Sequence, residues 1–170
     1  MIMRIIGALL VIASTTAMGF SVAAAQKKEE HALMQLIRAL EFMSCELQFR
    51  MPALPDLCAS TALQVNDPIK DFFLKAQEKL QQHATPEVSS CFRLAMAEVS
   101  KLPDTVLRNL GLLGKRMGRF DLDGQLSGIH SLTELCKRDL KGLQSNQEVR
   151  LRSYRTLGIC AGIALVILFI

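Results

Sequence analysis

The chain has 170 residues, half of them hydrophobic, with a mean hydropathy of +0.26, yet 21% are charged and the net charge is +4. That is about one domain's length of chain, and it is too apolar to remain disordered. The small positive balance, with no aromatic platform interleaved among basic residues, argues against a nucleic-acid binder.

The apolar residues are concentrated at the two ends. Ile5–Ala25 is a run of 21 residues without a charge, and only Arg4 precedes it. Two readings fit this run. One is a cleaved signal peptide, with Arg4 as its basic start and Ala23, Ala24 and Ala25 as the small-residue cleavage site. The other is a retained transmembrane helix, because 21 helical residues span roughly 31 Å, the thickness of a bilayer core. Lys27 and Lys28 directly after the run oppose export and favour the retained anchor.

The middle of the chain has helical spacing throughout. Leu33, Leu36, Ile37, Leu40, Met43 and Leu47, with Ala39 between them, form one wide apolar stripe. The five prolines fall between positions 52 and 103, each at an expected helix start. Asp67-Pro68 and Thr85-Pro86-Glu87 read as an N-cap followed by a first-turn proline, and Leu102-Pro103-Asp104 opens a further helix. Six helices are expected, at about 29–49, 53–65, 68–83, 86–101, 104–117 and 122–156, joined by short connections as antiparallel neighbours require. Core positions are Phe72, Phe73, Leu80, Phe92, Leu94, Met96, Val99, Leu107, Leu110, Leu113, Ile129, Leu132, Leu135, Leu140 and Leu143.

Thr156–Ile170 closes the sequence with 15 uncharged residues behind Arg150, Arg152 and Arg155. It is short for a membrane span, and Arg155 snorkelling with local thinning would make up the difference. Gly158 and Gly162 suit close helix packing in lipid. The basic residues flanking both runs, Lys27, Lys28, Arg150, Arg152 and Arg155, place the middle domain in the cytoplasm. The layout is thus an N-terminal transmembrane helix at 1–25, a cytoplasmic all-α antiparallel bundle at 26–155 and a C-terminal transmembrane segment at 156–170. The first and last bundle helices continue into the membrane.

No catalytic constellation emerges. His31, His83 and His130 sit on separate elements without ligand partners, so neither a metal nor a cofactor is expected. Gly111-Leu-Leu-Gly114-Lys115 lacks the spacing and the hydroxyl of a phosphate loop. Asp121-Leu-Asp123-Gly124 is too short for a calcium loop and reads as helix capping. Cys45, Cys58, Cys91, Cys136 and Cys160 form no Cys-x-x-Cys pair and read as reduced, buried thiols.

Three ordered blocks remain: Gln35-Leu-Ile-Arg38-Ala39-Leu40 with Glu46-Leu47-Gln48-Phe49; Gly114, Gly118, Asp121 and Gln125; and Tyr154-Arg155-Thr156-Leu157-Gly158. In this order and spacing the chain resembles the stage III sporulation protein AB family over essentially its whole length. Pro52-Ala53-Leu54-Pro55, where the family tends to Thr-Pro-Leu, and Arg119, Phe120 and Asp123 at the glycine turn depart from the pattern.

The resemblance implies a subunit of a secretion-like complex in the mother-cell membrane that faces the forespore. Its soluble domain would be similar to the cytoplasmic domains of type II secretion F proteins. Its implied partners are the complex's secretion-type ATPase and other membrane subunits. A non-enzymatic membrane platform subunit is therefore expected, with an exported helical binding protein as the alternative. Arg38, Glu41, Glu46, Asp121 and Gln125 are candidate partner contacts, since surface charges set register across an interface, and Gly118 is the candidate turn residue beside them.

Overall fold

A computed structural model describes the backbone of residues 2–169 other than 83, 84, 86, 101 and 118–121, and the side chains of residues 24–145 with the same exceptions. The chain is an all-α bundle of six helices: α1 (Ile2–Phe49), α2 (Leu54–Ala62), α3 (Ile69–Gln81), α4 (Val88–Glu98), α5 (Asp104–Arg116) and α6 (Leu122–Phe169). The expected membrane segments at 1–25 and 156–170 lie outside the residues with described side chains, Ala24 and Ala25 apart. Among the described residues, no helix is long and apolar enough to cross a membrane.

The expected stripe of α1 is the spine of the core. Leu33, Leu36, Leu40 and Met43 are fully buried, with Ala32 and Ala39 beside them. α1 packs against α2, α3, α5 and α6; each later helix packs on the next in sequence, and α6 closes on α1. Phe72 and Phe73 of α3 and Phe92 of α4 fill the far side. Phe72 meets Phe73 and Phe92 edge to face, at centroid distances of 5.1 and 5.5 Å, a geometry that adds to their area burial. Gly114 lets α5 approach α4: a Cβ there would lie 3.0 Å from the Cβ of Phe92.

Polar contacts fix the direction of the helices. Gln144 Nε2 donates to Glu30 Oε1 (2.7 Å), and Lys137 Nζ pairs with Glu41 Oε1 (3.1 Å). Rising residue numbers on α1 thus meet falling numbers on α6, and the two helices are antiparallel. α5 and α6 are antiparallel by the same test: Asn109 Nδ2 donates to Asp139 Oδ2 (3.1 Å), while Arg116 Nη1 donates to the Gly128 carbonyl (2.9 Å). The described parts of α1 and α6 therefore leave the bundle together at one end. The α1–α2 corner lies about 35 Å away at the other, from the helical rise per residue.

Several local expectations are corrected. Asp67 does not cap α3: the Asp67–Pro68 peptide is cis, Pro68 itself takes the N-cap position, and no side chain bonds the helix start. α4 begins at Val88 after an uncapped Glu87, while the Thr85 hydroxyl turns to the Glu87 carbonyl (3.2 Å) and to Cys91 Sγ (3.1 Å). Leu94, expected in the core, is 39% exposed because it stands outside the α4 face formed by Cys91, Phe92 and Ala95. Leu80, Met96, Leu107, Leu135, Leu140 and Leu143 are half-buried around the core.

Candidate partner-binding surface

The expected contact residues do not form one patch. Arg38 and Glu41 stand on the outward row of α1, both exposed, with Glu41 held by Lys137 of α6. Lys137 also reaches Glu134 (3.5 Å), and the Glu41 carboxylate, its hydrogen-bond partner, shifts its ammonium upward. Glu46 is half-buried at the far end of α1 and pairs loosely with Arg50 (3.8 Å). Gln125 is half-buried in the first turns of α6. Gly118 and Asp121 lie outside the described residues. By the antiparallel register of α1 and α6, Glu46 and Gln125 belong to the end of the bundle that carries the α1–α2 corner, whereas Arg38 and Glu41 lie along its side.

At the opposite end, Lys27 and Lys28 are exposed where α1 leaves the bundle. Arg150, Arg152 and Arg155 lie outside the residues with described side chains. An open cleft of about 520 Å³ lies here between α1 and the start of α5, lined by Ala25, Lys28 and Glu29 on one side and Leu102–Thr105 on the other. Glu29 Oε1 accepts from the Thr105 hydroxyl (2.6 Å). A carboxylate from α1 thus sits at the positive end of α5, whose N-cap Pro103 has no side-chain bond to give.

Among the described residues, no group of three or more His, Cys, Asp or Glu side chains could hold a metal ion. His31 and His130 are exposed on different helices, and His83 lies outside the described residues. Gly111 and Gly114 are interior to α5. Asp123 is exposed in the first turn of α6, where its charge complements the helix dipole.

Cys58, Cys91 and Cys136 are buried, free thiols, as expected; Cys45 is a free thiol but exposed, because it shares the outward row with Arg38 and Glu41. Cys160 lies outside the described side chains. Burial pushes the Cys58 thiol up to about 12. Burial and the Asp139 carboxylate do the same to Cys136, so both stay protonated and unreactive near neutral pH.

Three features went unread in the sequence. Asn109 is fully buried between α5 and α6; its Nδ2 bonds Asp139, and its Oδ1 has no hydrogen-bond partner. Gln35 is buried, and its Oε1 accepts the Asn66 amide (3.0 Å), tying the α2–α3 turn to α1. The third is the α1–α2 corner. Met51 has a left-handed backbone (φ 46°), although it is not glycine, and its side chain is 64% exposed beside Phe49 at 77%.

A family model of stage III sporulation protein AB matches residues 4–170. A solved structure of a stage III sporulation protein AB (SpoIIIAB) is similar, with a TM-score of 0.64 over 72% of this chain and 98% of its own. Its sequence identity is 16%, so this likeness speaks for the fold alone. No curated protein matches the sequence. With the six-helix bundle described and a family match across nearly the whole chain, this sporulation protein belongs to the stage III sporulation protein AB family.

Proposed function

We propose that this chain is a non-enzymatic platform subunit of a sporulation-specific, secretion-like complex in the mother-cell membrane facing the forespore. The observation that carries the proposal is the antiparallel pairing of α1 with α6 through Glu30–Gln144 and Glu41–Lys137. It directs both apolar terminal runs away from the same end of the bundle, as two anchors in one bilayer require. Lys27 and Lys28 flank that exit, and Arg150, Arg152 and Arg155 follow on α6. This charge bias favours a cytoplasmic bundle.

In this reading the bundle couples a cytoplasmic secretion-type ATPase to the other membrane subunits of the complex. Family membership and a surface rich in charged residues support a binding role. Protease added outside intact protoplasts tests the topology: residues 30–150 are expected to survive until lysis. Digestion before lysis, or a mature chain starting at Gln26, would overturn it and favour the exported binding protein.

A further inference from the structure

We infer that α5 is a register gauge for α6: the buried Asn109–Asp139 bond and the seat of Arg116 on Gly128 exclude a one-turn slide of the long helix that its contacts with α1 would tolerate. The gauge is a property of the bundle itself and stands whether or not the chain is a platform subunit.

Asn109 is an unfavourable residue for the place it holds. It is fully buried; its Nδ2 donates to Asp139 Oδ2 (3.1 Å), and its Oδ1 has no hydrogen-bond partner among the described residues. A carboxylate only accepts, so turning the amide over would break the one bond without serving the orphaned oxygen. An apolar side chain of similar size would fill the place and orphan nothing. The best-attested use of a buried polar residue in a helix seam is to fix register. The sequence of α6 suits that use. One turn from Asp139 stand Leu135 and Cys136 on one side, Gly142 and Leu143 on the other, and none carries a side-chain oxygen. A one-turn slide in either direction therefore leaves the buried amide without its acceptor.

Arg116 discriminates at the other end of the α5–α6 contact. Its Nη1 donates to the Gly128 carbonyl (2.9 Å), and a Cβ on residue 128 would lie 3.2 Å from Arg116 Cδ. A slide of α6 toward the α1–α2 corner brings Leu143 opposite Asn109 and Leu132 against Arg116, where a side chain has no room. In the opposite direction Gly124 would take the same seat, so there the discrimination falls to Asn109. α1 reads the slide toward the corner poorly. Glu41, now paired with Lys137, would meet Lys141 four residues on. The apolar seats of Ile129, Leu132 and Cys136 would pass to Thr133, Cys136 and Leu140, of which the first two are already buried. Thr133's own seat would pass to Lys137, whose long stem can lead its ammonium outward. Glu30 would exchange Gln144 for Glu148, a loss confined to the exposed rim. The five residue steps from Met117 to Leu122 reach up to about 17 Å, enough to follow a displacement of about 6 Å. One-turn ratchets of one packed helix past another are a known helical transition. Here the α5 contacts set the height of the last apolar run against the first.

The test is a distance measurement between two spin labels by pulsed electron resonance, on the full-length chain in detergent. One label sits on the native, exposed Cys45 and the other on Gly142→Cys, where a new Cβ meets open space. Cys160→Ala removes the thiol of the last apolar run, and Cys58, Cys91 and Cys136 are buried. This background is compared with the same chain carrying Asn109→Leu/Arg116→Ala, and thermal unfolding is recorded for both. The background is expected to give a single distance. The variant is expected to give a second population shorter by about 5 Å, from four residues of helical rise, while unfolding within a few degrees of the background. A single, unshifted distance in the folded variant overturns the gauge.

Asp139→Asn keeps an oxygen for the Asn109 amide and should keep the single distance; two distances there would show that any disturbance of the seam moves α6, and would overturn the specific role of Asn109. If Asn109→Leu/Arg116→Ala does not fold, the milder Asn109→Met/Arg116→Gln is read by the same two outcomes. Failure of both to fold also overturns the gauge, because a gauge requires a folded alternative to exclude.

Discussion

Replacing Met51 by glycine and by alanine separates backbone strain from side-chain contact. Both variants remove the same side chain beyond Cβ, of which about a third is covered by the protein. That covered part is worth roughly 0.5–1 kcal/mol, from the usual burial energy of a methionine. Alanine retains the left-handed strain at φ 46°, so Met51→Ala is expected to lose this amount. Glycine relieves roughly 1–2 kcal/mol of strain but returns about 0.4–1 kcal/mol through the greater freedom of its unfolded chain. Met51→Gly should therefore exceed Met51→Ala in stability by about 0.5–1 kcal/mol, a melting difference of roughly 1–4 °C at this chain length, and should lie close to wild type. Thermal unfolding of the full chain in detergent, followed by circular dichroism, gives the difference directly. Equal stability of the two variants, or a less stable glycine, would refute the claim that Met51 is strained.

Gly114→Ala should destabilise the chain by about 1–3 kcal/mol, as overpacking does, because its Cβ would lie 3.0 Å from Phe92. Gly111→Ala, in the same helix but with open space around the new atom, should instead stabilise it by up to about 1 kcal/mol; denaturant midpoints of the pair check the contrast. Stability should also fall with rising alkalinity. Cys58 and Cys136 ionise about 12 in the folded chain against an ordinary 9.0, so between those values the unfolded chain releases thiol protons that the folded chain keeps. The expected slope is about 1.4 kcal/mol per pH unit for each thiol. Cys58→Ala/Cys136→Ala should flatten that limb relative to wild type, and an unchanged slope would show that the thiols do not titrate this way.

The helices were legible where repetition made them so. The stripe from Leu33 to Leu47 has only one solution as a helix face, and each proline marked an entry to within about two residues. Single-residue geometry was not legible. Asp67 read as a cap because its residue type favours that position, but Pro68 takes the N-cap place and no side chain bonds the helix start. Leu94 read as core because apolar residues surround it in sequence, yet a short helix has only one inward row, and Phe92 and Ala95 occupy it. Cys45 was placed inside by type alone, although its spacing from Arg38 and Glu41 puts it on the outward row. Asn109 gave no sign of its burial in the sequence, because only the approach of Asp139 from α6 makes that burial tolerable. Met51 carried no signal, since a left-handed helix stop is announced by glycine and none is there. The candidate contacts were legible as charges, but their separation between the side and the end of the bundle depends on the α1–α6 register.

The two long helices also set the mechanics of the molecule. α1 and α6 each run 48 residues, about 72 Å at the usual rise, and neither contains a proline that would kink it. Each is thus a stiff rod shared by the bundle and the apolar run beyond it, and the contacts at Glu30 and Glu41 couple the two rods. A sideways load on the corner at Phe49 meets no hinge on its way along α1. It is expected to arrive at the far end as tilt instead of being absorbed in a flexible linker, so the molecule would behave as a lever rather than a tether.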